Sequence, residues 1–421
     1  MTLHRCASGR GGGGASTTST LQLVLCAILL ATSVPLSIQQ QQQLDWVDLE
    51  ALRQIHYDLQ DLPGSYFFSS WDFSQDPCGS FEGVQCYNIN GDSRVAVLNL
   101  GTSSGGSPGL TGSLSPYIGN LTALVQISLV PGSVGGSIPS TISSLSNLQF
   151  LGLSQNHFTG KIPTSFSSLY KLQSLILGGN YLSGDIPSQL GYLSSLTTLS
   201  IANNQFSGKI PDFTSAGALQ HMDLSINQLV GKIPPLPSGL NFLSLANNDL
   251  DGDLGVIAGL ANLNYLDLSS NQFYGEIPYQ LFSFPLQYLL LDRNGLSGNL
   301  NIPTQSSIQV VDLSYNNFTG TVPAGLGGVK DLYLNDNRFS GMVPPIFASN
   351  LQNAVIENLH LQHNYLIGLS NLLAGMTLPS QVTLCFQYNC GLSPPQTLCP
   401  SDSEVQETRP LTECLDSRNW S

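Results

Sequence analysis

Leu151-Gly152-Leu153-Ser154-Gln155-Asn156-His157-Phe158-Thr159-Gly160-Lys161-Ile162-Pro163 is one clean copy of a pattern, L-x-L-x-x-N-x-L-x-G-x-I-P, that returns along most of the chain. The L-x-L pair that opens it recurs at Leu98, Ile127, Leu151, Leu175, Leu199, Met222, Leu243, Leu266, Leu289, Val311, Leu332 and Leu359, at intervals of 21 to 29 residues. Each part has a physical cause. The alternation predicts a short strand with one buried face. The asparagine, with an amide donor and a carbonyl acceptor, can satisfy backbone groups stranded where the chain turns away from water. Asn156, Asn180, Asn204, Asn227, Asn248, Asn271, Asn294, Asn316, Asn337 and Asn364 form this ladder, with Gly132 in its place in the second copy. The following glycine allows a backbone bend closed to other residues, and the proline, lacking an amide donor, discourages a wide second sheet. No copy can bury its apolar side alone, so the copies must stack into one continuous core.

The expected fold is therefore a curved α/β-type solenoid of about twelve 21–29-residue repeats with disulfide-stapled N- and C-terminal caps. Six cysteines remain if an N-terminal leader is removed: Cys78, Cys86, Cys385, Cys390, Cys399 and Cys414, with none in the 298 residues between Cys86 and Cys385. That distribution suits caps stapled in an oxidising compartment. Cys78 and Cys86, within one short segment, are expected to pair. The last four allow three pairings; the closest spacing favours Cys390–Cys399 nested within Cys385–Cys414. Irregular intervals and the absence of nearby histidine disfavour zinc.

Leu21–Ala31 is an apolar run of eleven behind His4, Arg5 and Arg10, and Ala31-Thr32-Ser33 offers small residues for cleavage. The reading is a signal peptide over residues 1–33, too short to anchor in a bilayer. A Gln-rich linker (34–43), an N-terminal cap (44–93), the repeats (94–376) and a C-terminal cap and tail (377–421) follow. Without the leader the formal charge moves from −14 to −16 by loss of Arg5 and Arg10. So acidic a chain, with five lysines, has no electrostatic footprint for nucleic acid. No membrane span is expected, and the localisation expected is secreted, in the extracellular space or cell wall. Sequons at Asn120, Asn317 and Asn419 are expected glycosylation sites on that route.

The G-x-I-P signature and the spacing resemble the plant-specific extracellular class of leucine-rich repeats over roughly residues 44–415. Trp71, Asp76-Pro77-Cys78, Phe81 and Gly83-Val84-x-Cys86 are similar to the cap of plant receptor ectodomains, with Phe81 where tryptophan is more usual. Ahead of them, Leu49, Leu52, Ile55 and Leu59 form an apolar helical stripe with Asp45 as N-cap. The resemblance is strongest to the kinase-free, receptor-like-protein group and more distant to polygalacturonase inhibitors. It implies recognition of a peptide or protein partner, a receptor-kinase ectodomain among the candidates, in signalling, development or defence; the alternative is inhibition of secreted microbial wall-degrading enzymes.

In such an array the strands line the concave face, and exposed strand positions are the candidate site. Most carry small or acidic residues, such as Asp223, Asp267 and Asp312, read here as solvated. The departures are Phe242, Tyr265, Tyr288, Leu290, Arg293, Tyr333 and His360, with Phe150 and Ile176 as outliers nearer the N-terminus. Phe242, Tyr265 and Tyr288 fall on adjacent repeats and should run as a stripe, about 4.8 Å apart. Aromatics beside an arginine are common interface anchors. A Gly/Ser-rich insertion between Leu100 and Leu110 is a second candidate rim. Catalysis finds no support: His360-x-x-His363 is not the HExxH arrangement, Gly160-Lys161-Ile162 lacks the rest of a phosphate loop, and Asp249-x-Asp251-x-Asp253 sits in a turn. No enzyme, cofactor or metal role is expected.

Overall fold

Leu98, Ile127, Leu151, Leu175, Leu199 and Met222 stand directly opposite one another across consecutive strands, and the same register runs on through Leu243, Leu266, Leu289, Val311, Leu332 and Leu359. These strands belong to a computed structural model that describes residues 44–89, 91–101, 108–302, 305–369, 378–391, 399 and 408–416. The leader and Gln-rich linker, Asn419 and residues 102–107 of the insertion lie outside the described residues.

Among the described residues the main sheet has fourteen strands. It opens with an antiparallel hairpin, Val84–Ile89 against Asp92–Leu100, and is parallel from there. It also runs one strand past the twelfth L-x-L pair. Thr383–Cys385 pairs with Asn358–His360, and Asn389 supplies a further rung. The segment read as cap thus begins with another turn of the array, because Leu384, Phe386 and Asn389 repeat the L-x-L-x-x-N spacing.

The ladder asparagines act as expected. Asn180 accepts from the Phe158 amide at 3.0 Å and donates to the carbonyls of Leu153 and Leu177 at 3.0 and 2.9 Å. Each rung thus joins two turns of the chain through groups that water cannot reach. The residue just before the ladder asparagine is left-handed in turn after turn from Gln155 to Tyr388, with φ 70° at Gly179 and between 53° and 59° at the others, and Ile226 bears this strain despite its β-branch. The return is hydrogen bonding: Ile226 donates its amide to Ala246 and accepts from Asn204.

The proline expectation needs correction. A second sheet of eleven strands runs beside the first, from Leu59–Asp61 to Asn317–Thr319. Its strands are short, as in His157–Gly160, and are built from the N-x-L-x-G residues that precede the proline. The strands end at Gly160 and Asp185, and Pro163 and Pro187 beyond them stand at the N-termini of 3₁₀ turns, Thr164–Ser168 and Ser188–Tyr192, on the outer side. The glycine is needed there for its backbone: at Gly184 φ is +79°, while the nearest atom an added Cβ would meet, at 2.9 Å, is on the movable end of the Lys161 side chain.

The N-terminal cap is a helix, Trp46–Asp58, whose first amides are accepted by Asp45 as expected. Leu52 and Ile55 are buried on its inner side, while Leu59 lies beyond the helix end and opens a strand of the second sheet. Asp48, fully buried, takes a two-pronged ion pair from Arg94 at 2.7 and 3.0 Å. Trp71 stacks on Phe81, ring centroids 5.0 Å apart.

Cys78 pairs with Cys86, Cα atoms 5.5 Å apart. At the other end the nested arrangement is wrong: Cys385 pairs with Cys399 and Cys390 with Cys414, at Cα separations of 5.6 and 5.7 Å. Spacing along the chain misleads because the extra turn separates Cys385, at the end of a strand, from Cys390, beyond the ladder residue. The Arg409 amide donates to Asn389, which brings the helix containing Cys414 alongside Cys390.

Candidate functional site

The strands Phe242–Ser244, Tyr265–Asp267 and Tyr288–Leu290 pair so that Phe242, Tyr265 and Tyr288 stand opposite one another, each preceding a fully buried leucine. Alternation turns them to the concave side. Phe242 and Tyr265 stack with centroids 4.4 Å apart and planes 8° from parallel, and Tyr265 and Tyr288 follow at 5.6 Å. The expected stripe is therefore a packed ladder of rings. It has a fourth member that sequence reasoning passed over: His221, opposite Phe242, stacks on it at 4.0 Å. The signal was its position before Met222, in the same column as the aromatics. Burial pushes the His221 imidazole down to about 4, so it is neutral here. At the far end Tyr288 is the most open ring, 41% exposed.

The next column holds Asp223, Asp267, Leu290 and Asp312, with Ser244 between the first two. Reading the three carboxylates as merely solvated does not survive. One oxygen of each accepts both the amide and the hydroxyl of the serine two residues on, at 2.6 to 3.1 Å: Ser225, Ser269 and Ser314. Burial raises all three above the ordinary carboxylate range. Asp292, two residues past Leu290, is pushed to about 7 by burial and by Asp312 and Asp267. The Tyr265 hydroxyl, 3.5 Å from Asp267, is raised by burial and the same negative surroundings.

Arg293 stands beside this group in a left-handed conformation, its guanidinium over the Tyr315 ring at 4.3 Å and its Nε 3.8 Å from Asp292. Tyr333 and His360 form a separate pair, rings 4.8 Å apart, on strands beyond Val310–Asp312. The predicted residues thus fall into two groups: the ladder with Leu290 and Arg293, and the Tyr333–His360 pair. The exposed sequon residues lie off this face. Asn120 ends a 3₁₀ turn and Asn317 opens a strand of the second sheet. No helix among the described residues is long and apolar enough to cross a membrane.

Family models agree with the repeat. The leucine rich repeat N-terminal domain matches residues 47–87, and the Leucine Rich Repeat matches 147–169, 171–193, 195–216, 262–284 and 307–329. The chain is a plant extracellular leucine-rich-repeat protein. Among solved structures this leucine-rich-repeat chain is similar to the ectodomain of the plant membrane receptor kinase GASSHO1/SCHENGEN3 from Arabidopsis thaliana, in complex with CASPARIAN STRIP INTEGRITY FACTOR 2: 30% identity, TM-score 0.58, 82% of this chain and 50% of that one. It is also similar to PEPR1 in its structure with AtPEP1, at 28% identity and TM-score 0.58, over 86% of this chain and 59% of that one. A plant ice-binding protein is similar at 27% identity and TM-score 0.53, over 76% of this chain and 96% of that one. The leucine-rich-repeat chain spans about half the length of the receptor ectodomains it matches. No curated protein matches it in sequence.

Proposed function

We propose that this protein is a secreted recognition protein that binds a peptide or protein partner, a receptor-kinase ectodomain among the candidates, in plant extracellular signalling, development or defence. The observation that carries this reading is the four-ring ladder from His221 to Tyr288, large apolar surface held in register on a face where most other positions are small or acidic. The structural neighbours named with peptide ligands support it. Phe242, Tyr265, Tyr288, Leu290 and Arg293 would form the main contact, with Tyr333 and His360 as a second patch. Glycans at Asn120 and Asn317 would leave the face clear.

The test is binding to partners purified from plant apoplast. Phe242→Ala and Tyr288→Ala should weaken binding by about 30-fold, since interface aromatics that matter are worth about 2 kcal/mol. Secretion and melting should change little. Wild-type affinity in both variants, with loss on shortening residues 101–109, would move the site to the insertion.

A further inference from the structure

The charge on the concave face narrows what can occupy it. Across five consecutive strands, from His221–Asp223 to Val310–Asp312, the face and its edge carry Asp223, Asp267, Asp292 and Asp312. Among the described residues Arg293 is the one cation paired with any of them, at 3.8 Å, and its guanidinium is committed to the Tyr315 ring. The serine hydrogen bonds satisfy one oxygen of three carboxylates but bring no positive charge to offset the burial that makes these groups reluctant to ionise. Tyr265 and Tyr288 lie in the column next to Asp267 and Leu290, so ring faces and carboxylates adjoin.

We infer that this part of the sheet is a docking surface for a basic peptide segment, one arginine or lysine meeting Asp267, Asp292 and Asp312 while its neighbours lie along the Phe242–Tyr265–Tyr288 rings. The inference rests on the concave-face reading above and adds the chemistry of the occupant. A guanidinium gains here in three ways. It makes charge-assisted hydrogen bonds to the carboxylates. Its positive charge is attracted by the tyrosine ring faces. Its aliphatic stem covers apolar surface while the head stays polar. An acidic segment meets the opposite conditions, since like charges brought together on a partly desolvated surface repel. The chain's formal charge of −14 steers cations toward it at longer range.

The probes are three synthetic decapeptides, acetylated and amidated, identical in their phenylalanine, glycine and serine residues. One carries two arginines, one two citrullines and one two glutamates. Citrulline keeps the planar shape of arginine and one edge of N–H donors, but a carbonyl oxygen replaces the other NH2 and the charge is gone. The arginine peptide should bind at least about tenfold more tightly than the citrulline peptide, and the glutamate peptide most weakly. The advantage should shrink as ionic strength rises. Asp267→Asn combined with Asp292→Asn should bring the arginine and citrulline peptides to within about twofold of each other. Phe242→Ala should weaken both alike. Equal binding of arginine and citrulline peptides, an arginine advantage that persists in the double variant, or no binding of the arginine peptide at about 1 mM overturns the inference. If the glutamate peptide binds best and Phe242→Ala abolishes it, the concave site stands and its basic specificity falls. If peptide binding survives Phe242→Ala and Tyr288→Ala together, the concave reading falls with it.

Discussion

The imidazole of His221 lies face to face with the ring of Phe242, centroids 4.0 Å apart and planes 16° from parallel. Burial disfavours the imidazolium, which holds His221 down to about 4 against an ordinary value of 6.5. Its stabilising contribution is then complete above pH 6.5 and is lost as pH falls through 4. Titration of the His221 ring by NMR should show a midpoint near 4, moving up toward 6.5 in Phe242→Ala. A midpoint near 6.5 in the wild-type protein would remove His221 from the ladder.

Asp292 has the opposite sign. Its carboxyl is raised from 3.8 to about 7 by burial and by Asp312 and Asp267, with Arg293 acting against them. Stability linked to it is complete below pH 3.8 and is lost as pH rises through 7. Asp292→Asn should therefore melt about 2 °C or more above wild type at pH 8, the gap narrowing as pH falls through 7 and closing only below pH 3.8. A variant less stable at pH 8 would show that the charge is compensated in the fold.

Asn271 accepts from the Leu250 amide at 3.1 Å and donates to the carbonyls of Leu245, Leu268 and Ser269 at 2.9 to 3.2 Å. Asn271→Ala strands these groups, at about 1–3 kcal/mol for each one left unsatisfied. Gln228→Ala, on the exposed start of a second-sheet strand, should stay within about 0.5 kcal/mol. Equal denaturation midpoints would show that the rung is not structural.

Non-reducing peptide mapping should recover Cys385 with Cys399 and Cys390 with Cys414. Removing the second pair as Cys390→Ser with Cys414→Ser should loosen the terminal helix Leu411–Asp416 and leave mid-array stability nearly unchanged, because each repeat packs mainly on its neighbours. A peptide linking Cys390 to Cys399 would overturn this cap.

The sequence by itself determined the repeat, the register, the buried leucine column, the asparagine rungs and the outward side of Phe242, Tyr265 and Tyr288. All of these follow from short periodic rules that every copy obeys, so one copy read correctly places the rest. Tertiary structure decided what depends on distances between copies. It set the stacking of His221 on Phe242, the burial that makes Asp223, Asp267 and Asp312 reluctant to ionise, and the approach of Asp267 and Asp312 to Asp292, which Arg293 flanks. It also decided the crossed cap disulfides, where the return of the helix to Asn389 outweighs nearness along the chain. Periodicity states which side of a strand a residue occupies. How deeply it is desolvated, and by which neighbours, arises only when successive turns stack and exclude water.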